Sequence, residues 1–477
     1  MTSRARLRSD RRSGVPRRGV RRLVVAATAF TLATVSSAVV ASSPGRLPVS
    51  GASVLVGHGA GGLTDESVVP LIEWAPSISH GASGAVSGPY TPEQVQAAYD
   101  LAPVYSAGIT GKGATIGIVD VYGSPTIRAD LANFDAQYGI AAPPSFKIVR
   151  PAGKVPRFDA ANSEMTSWAG ETTLDVEWAH AMAPGASIVL ALTGVDEVEG
   201  TSGFAEIMKA ERYLITHEQV SVISQSFAAT EETFPTKASL LAFRGTYQLA
   251  QSRDVTVLGA TGDSGATSQM ANLDYFDRRV INWPASDPLV TAVGGTQILL
   301  DSAGTQVSPT RVWNDDGTSR PLPQSTGGGL SVDFARPSWQ DGVAGVVGKH
   351  RGIPDVSMDA SCDPGAAVFA SYPGSSSDEV CGTSLATPLF AGIVALAVQL
   401  AGHALGLLNP TLYRLGAAHA AGLVGVTRGN NSVRIPYKDR TAVVTGYAAS
   451  KGYDLATGWG TVKAADLVPE LAGTSLP

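Results

Sequence analysis

Four acidic or hydroxyl side chains in this 477-residue chain have the types and settings to make a hydroxyl reactive: Ser384, Glu171, Asp175 and Asp263. Ser384 opens CGTSLATPLFAGIVALAVQLAG (381–402), at the head of a long, almost wholly apolar helical run. A hydroxyl there sits at the positive end of a helix dipole, beside backbone N–H groups with no intrahelical partner. An ordinary Ser or Thr N-cap has the same local appearance. Glu171 and Asp175 stand four residues apart in GETTLDVEWAHAMAPGASIVL, so a helix brings them to one face. Two such carboxylates cannot both ionise cheaply; they share a proton, and the pair titrates as a unit. Glu171 can then accept a proton from a nucleophile and return it to a leaving group. A solvated acidic face is the alternative, since TTLDVE is polar enough for a surface. Asp263 lies in VTVLGATGDSGATS, where a carboxyl can donate to a developing oxyanion only when protonated. That role demands an acidic medium or a raised pKa, and a plain Gly-Asp-Ser-Gly turn is its rival.

The elements that must hold these groups show in the apolar pattern. Short Val- and Ile-rich runs, ATIGIVD (114–120), SIVLAL (187–192), VSVISQS (220–226), VTVLGA (255–260), VTAVGG (290–295) and AAVFAS (366–371), lack polar alternation. They read as strands buried on both faces of a parallel sheet. GETTLDVEWAHAMAP, GFAEIMKAERYLITHEQ, KASLLAFRGTYQLAQSRD and the run after Ser384 have helical period. The alternation predicts an α/β fold: a mostly parallel central sheet flanked by helices on both faces, in one domain over 89–472. The site is expected at the carboxyl ends of the strands.

Taken together, the strings resemble the sedolisins, or serine-carboxyl peptidases, which have a subtilisin-like fold. GTS with Ala386 and Thr387-Pro388 is similar to the nucleophile segment of subtilisin-like peptidases and sedolisins. A His-dependent subtilisin would need an HGTHV-like segment, and His58, His80, His180, His217, His350, His403 and His419 all lack that setting. His58 and His80 fall in Gly-flanked stretches, and His180 is mid-helix, off the carboxylates' face, in a surface or packing role. The Gly-Glu, Leu-Asp and Glu-Trp-Ala-His pattern resembles the sedolisin acid segment, and GATGDSG resembles the strand-then-SSGDSG element. The resemblance covers about 89–462 and implies Ser384 as nucleophile, Glu171 as general base and acid, Asp175 as its proton-sharing partner and Asp263 as oxyanion donor. It also implies that Ser226, Phe227 and Ala228 form the edge pairing with an extended peptide substrate, with Ala228 where the family usually has Gly. A calcium site near the carboxyl end is implied at Val426, Ser450, Gly452 and Asp454. Its usual first Asp is Gly425 here, Ser450 replaces a Gly, and Asp439 is the candidate substitute. Losing an anionic ligand should weaken calcium binding. The expected activity is that of a secreted, acid-active endopeptidase, with a classical subtilisin-like enzyme or an exported non-catalytic binding protein as alternatives.

Nine Arg in residues 1–22 followed by an uncharged 23–41 read as an export signal, cleaved near Ala41. An uncleaved single-pass anchor is the other reading of that length. Residues 42–88 are rich in Gly, Ser, Ala and Pro and read as a linker or short propiece, far smaller than the usual sedolisin propeptide. Without 1–41 the chain keeps 26 Lys and Arg against 40 Asp and Glu, a net charge of −14. Such a surface repels nucleic acid and anionic lipid, leaving protein or peptide substrates and a monomer as the expectation. Cys362 and Cys381, the only cysteines, flank an expected hairpin. An oxidising compartment favours a disulfide between them, which would brace the strand leading to Ser384; buried free thiols are the alternative.

Overall fold

A computed structural model describes residues 84–477 except 196–200, 271, 273, 317–322 and 376–377, with the backbone alone at 69–70, 73–74 and 201–202. The proposed signal, 1–41, and most of 42–88 lie outside the described residues. The strands in chain order begin with β1 (Val69–Pro70), β2 (Glu73–Trp74), β3 (Thr115–Val121), β4 (Phe146–Val149), β5 (Ser187–Thr193) and β6 (Val222–Gln225). Then come β7 (Phe227–Thr230), β8 (Thr256–Ala260), β9 (Asn282–Trp283), β10 (Thr291–Gln297) and β11 (Arg311–Val312). After them follow β12 (Gly329–Ala335), β13 (His350–Ile353), β14 (Val356–Asp359), β15 (Ala366–Ala367) and β16 (Glu379–Cys381).

The central sheet runs β11-β10-β8-β6-β3-β5-β4, with β14 also pairing β10. Every pairing in it is parallel except β10 with β11. Four helices matter for the site: α1 (Ile127–Tyr138), α2 (Ser163–Met182), α3 (Thr201–His217) and α4 (Thr383–Ala401). Strand side chains alternate between two apolar layers. Ile116, Ile118, Ile188, Leu190 and Leu192 join Leu174 and Trp178 of α2 and Ile393 of α4. Val119, Val121, Val189 and Ala191 join Phe204, Ile207 and Leu214 of α3 on the opposite face. The expected parallel sheet with helices on both faces is thus present.

The site-bearing helices are buried on every side because each is enclosed. Asn162 caps α2 by accepting from the amides of Glu164 and Met165, and from Trp168 to Met182 all its residues are buried. Helix α2 is flanked by α1, α4 and β3. Its approach to α4 needs Gly392, where a Cβ would come within 2.3 Å of Met182 Cβ. Helix α4 ends at Gly402, whose left-handed φ of 75° suits only a residue free of Cβ strain. It is long and apolar enough to cross a membrane, but 83% of its apolar window is buried inside the fold.

Three expectations are corrected. AAVFAS is no strand of the central sheet: only Ala366–Ala367 pair, antiparallel to β16. The amides of Phe369 and Ser371 bond instead to the carboxylates of Glu177 and Asp130. The parallel place beside β10 goes to β14, in a stretch whose residues are buried throughout. VSVISQS is split at Ser226, with β6 staying in the central sheet and β7 joining β9 and β1. KASLLAFRGTYQLAQSRD forms two helices, Lys237–Phe243 and Gly245–Ser252, meeting at Arg244. Within the segment read as linker, β1 pairs antiparallel with β7 (Val69 with Ala228, Pro70 with Phe227) and β2 with β16. An open sheet edge presents unpaired N–H and C=O groups, and any extended segment near it can take them up.

Candidate active site

Helix α4 delivers the nucleophile. Gly382 at its N-cap has φ +100°, a conformation L side chains rarely adopt, which turns the chain from β16 straight into the helix. Ser384, the second residue of the helix, is fully buried. The cysteines do form the bridge, with Cα atoms 5.0 Å apart, and it ties β16 to the segment just after β14.

Helix α2 delivers the acids. Glu171 and Asp175 are both fully buried, which excludes the solvated acidic face. Burial pushes the Glu171 carboxyl well above its ordinary value; the charges of Asp175, Asp120 and Asp263 push the same way, and the neighbouring Ser384 hydroxyl pulls it down. No full hydrogen bond joins Glu171 to Ser384 at rest. Such contacts tighten when substrate arrives. Asp175 is also raised well above its usual range, first by burial and then by Asp120, and is opposed by Ser226. The Ser226 hydroxyl donates to Asp175 Oδ1 at 2.7 Å. Asp263 reaches the start of α4: its Oδ1 accepts from the Thr383 amide at 2.8 Å and from the Thr383 hydroxyl at 2.7 Å. Thr383 Oγ1 in turn accepts from the Gly262 amide at 3.0 Å. All four candidate residues therefore meet near the head of α4.

His180 does not join them. It is buried, with Nε2 3.2 Å from Asp135 Oδ1 of α1 and 3.0 Å from the Ala141 carbonyl, so it packs α2 against α1. At the proposed substrate edge, the Phe227 side chain is buried in the apolar layer with Phe204 and Trp283, leaving its backbone to pair with Pro70. Ala228 pairs with Val69 in the same antiparallel ladder. Ser226 serves Asp175 through its side chain, a contact that backbone-edge reasoning does not reach.

The family's calcium donors fit the ion poorly here. Asp454 Oδ1 already accepts from the amides of Ala456 and Thr457, and Oδ2 from the amide of Ser450. Gly425 supplies no side chain, and Val426 is buried against Val312 and Ala456. Asp439 stands at the exposed tip of the hairpin formed by β18 (Val433–Tyr437) and β19 (Arg440–Val444); β17 (Leu423–Val424) precedes it. Calcium prefers several hard oxygens including carboxylates, and this set has one, already engaged by backbone donors. Among the described residues no group of three or more His, Cys, Asp or Glu is placed to hold a metal.

Residues that motif reading passed over are Thr383, which positions Asp263, and Glu177, whose Oε2 accepts from the Phe369 amide. Asp120, at the end of a buried strand, is another. An acid closing an otherwise apolar run was the available signal for it.

A model of the Subtilase family matches residues 160–460. Kumamolisin of Bacillus sp. (strain MN-32) is 34% identical over 380 residues, covering 78% of this chain and 62% of its own length. Sedolisin of Pseudomonas sp. (strain 101) is 29% identical, covering 81% and 62%. The chain thus spans about three-fifths of the length of these relatives. The solved structure of Pseudomonas sedolisin complexed with pseudo-iodotyrostatin superposes with a TM-score of 0.66 at 27% identity, covering 81% of this chain and 98% of that one. The matched region holds both buried helices and the Asp263 loop, and the chain belongs to the subtilase family, within its sedolisin branch.

Proposed function

We propose that this protein is an exported serine-carboxyl endopeptidase that hydrolyses peptide bonds in acid. The reading is carried by one observation: Ser384, Glu171, Asp175 and Asp263 converge, buried, at the amino end of α4, while the α2 histidine is committed to Asp135. Glu171, ionised while Asp175 keeps its proton, takes the Ser384 proton as the hydroxyl attacks the scissile carbonyl. The oxyanion forms beside the helix N-terminus, where a protonated Asp263 donates to it. Glu171 passes its proton to the departing amine, and water then resolves the acyl-enzyme by the reverse transfers. The substrate backbone lies extended along residues 226–228; the chain's own Val69–Pro70 already make that kind of antiparallel pairing. The basic start and apolar 23–41 support export, and the Cys362–Cys381 bridge suits an oxidising compartment. The acidic net charge supports a monomer acting on peptides rather than on nucleic acid or membranes.

The test incubates an unfolded protein substrate with wild type, Ser384→Ala and Glu171→Gln. Wild type should release peptides near pH 4, with both variants reduced on the order of 10³-fold or more. Full turnover at pH 8 with none at pH 4 contradicts the reading. Retained cleavage by Glu171→Gln points to a histidine-dependent enzyme, and a wild type inert at every pH points to a binding protein.

A further inference from the structure

A buried carboxyl also lies on the face of the sheet opposite α2 and α4. Glu211 of α3 is fully buried against the end of β6, and its Oε1 accepts from Gln225 Nε2 at 2.5 Å. Gln225 Nε2 donates its second N–H to the Tyr247 hydroxyl at 3.1 Å. The other oxygens of the same two side chains, Glu211 Oε2 and Gln225 Oε1, are buried without a full hydrogen bond. Two bare acceptors cannot partner each other, and leaving both buried is costly. A proton on Glu211 resolves both at once. Oε2 then donates to Gln225 Oε1 while Oε1 accepts from Nε2, and the carboxylic acid and the carboxamide close a ring of two hydrogen bonds.

We propose that Glu211 is a positioning residue of the active site: as a carboxylic acid it locks Gln225, and through Gln225 the bend that aims the Ser226 hydroxyl at Asp175. The link is one residue long. Gln225 ends β6 and Phe227 opens β7, so Ser226 sits at the bend, where its hydroxyl donates to Asp175 Oδ1 at 2.7 Å. Strand side chains alternate, so fixing residue 225 on the α3 face orients residue 226 toward α2. Few titratable groups face the ring. Tyr247 approaches from the helix Gly245–Ser252, which has no charged side chain, and Asp287 beyond it is paired with Arg244. Strands β5 and β6 carry no charge, and β3 turns Val119 and Val121 to this layer. On α3 itself, Lys209 and Arg212 bond to the carbonyls of Ala152 and Gly245. Burial pushes Glu211 up to about 8, against the pull of the Gln225 bond. The acid therefore keeps its proton throughout the acidic range, and the ring opens as pH rises through that value, when a carboxylate would face the Gln225 carbonyl.

This inference rests on the Glu171 and Asp175 chemistry proposed above, and the two can fail separately. The experiment measures kcat and KM in acid for wild type, Glu211→Gln, Glu211→Leu, Ser226→Ala and the Glu211→Leu, Ser226→Ala double variant, with melting curves as a folding check. Glu211→Gln replaces the acid with an amide that can close the same ring, so kcat and KM should stay within about twofold of wild type. Glu211→Leu should lose about tenfold in kcat with little change in KM. Added to Ser226→Ala, it should cost no more than about twofold further, because both changes remove the same contact. An infrared titration of the resting enzyme follows protonated carboxyls directly: wild type should lose one with a midpoint of about 8, and Glu211→Gln should lack that step. Additive losses in the double variant would assign Glu211 to structure and overturn the inference, as would an infrared step that survives in Glu211→Gln. Glu171→Gln retaining activity would instead remove the underlying mechanism while leaving the infrared step in place.

Discussion

At Asp175 two neighbours pull in opposite directions. Asp120 adds charge that raises its pKa, and Ser226 donates a 2.7 Å bond to Oδ1 that favours the ionised form. Ser226→Ala removes the second influence, so the pair should hold its proton to higher pH. The kcat profile of Ser226→Ala should move upward in pH, and kcat at the optimum should fall about tenfold for the loss of one buried bond to a charged group. A profile displaced downward would show that Asp175 is governed by something other than this bond. The placement of Glu171 beside Asp175 was legible from spacing, because i and i+4 on a helix fixes mutual reach. That of Ser226 was not. Its hydroxyl meets Asp175 only because β6 ends at Gln225 and the chain turns out of the sheet.

In the 450–458 loop one carboxylate organises the backbone. Asp454 gathers the amides of Ser450, Ala456 and Thr457, and its own amide bonds to the Gly458 carbonyl. Excess EDTA should therefore leave the melting temperature of the full protein unchanged, and added calcium should not raise it. Gly425→Asp puts a carboxylate where a Cβ meets nothing within 4 Å, so the variant should fold and gain a calcium-dependent rise in melting temperature. A calcium-dependent rise in wild type would mean that the backbone donors yield to the ion. The α2–α4 contact was readable only in part. Apolar run lengths announced both helices, but the close approach at Gly392 depends on which turn of α4 faces Met182.

Across the molecule, burial has raised a whole set of carboxyls, and stability should follow. Asp120 is pushed to about 7 and Glu211, on α3 beside Gln225, to about 8; Asp175, Glu177 and Asp359 are raised well above their usual range. In each case the folded state keeps a proton that the unfolded chain releases near pH 4. The stability they contribute is fully present below that pH and is lost as pH rises through the folded values. Melting temperature should be highest near pH 4 and lower by several degrees at pH 8, and Glu211→Gln should flatten the part of the decline between about pH 4.5 and 8. A curve that is level or climbs toward pH 8 would refute this account.

From the amino-acid order alone came the alternation of buried strands and helices, the face shared by Glu171 and Asp175, and a serine at a helix head. These follow from periods of 2 and 3.6 residues, which operate within single elements. Contacts between distant elements came only with the tertiary structure. It placed β14, rather than AAVFAS, beside β10; it committed His180 to Asp135; and it brought Asp120 under α2. The reason is that backbone partners and carboxylate neighbours are chosen by which surfaces meet when the layers close. A run of Val and Ala states its wish for burial, but whether its amides go to a strand or to Glu177 and Asp130 depends on chain some two hundred residues away.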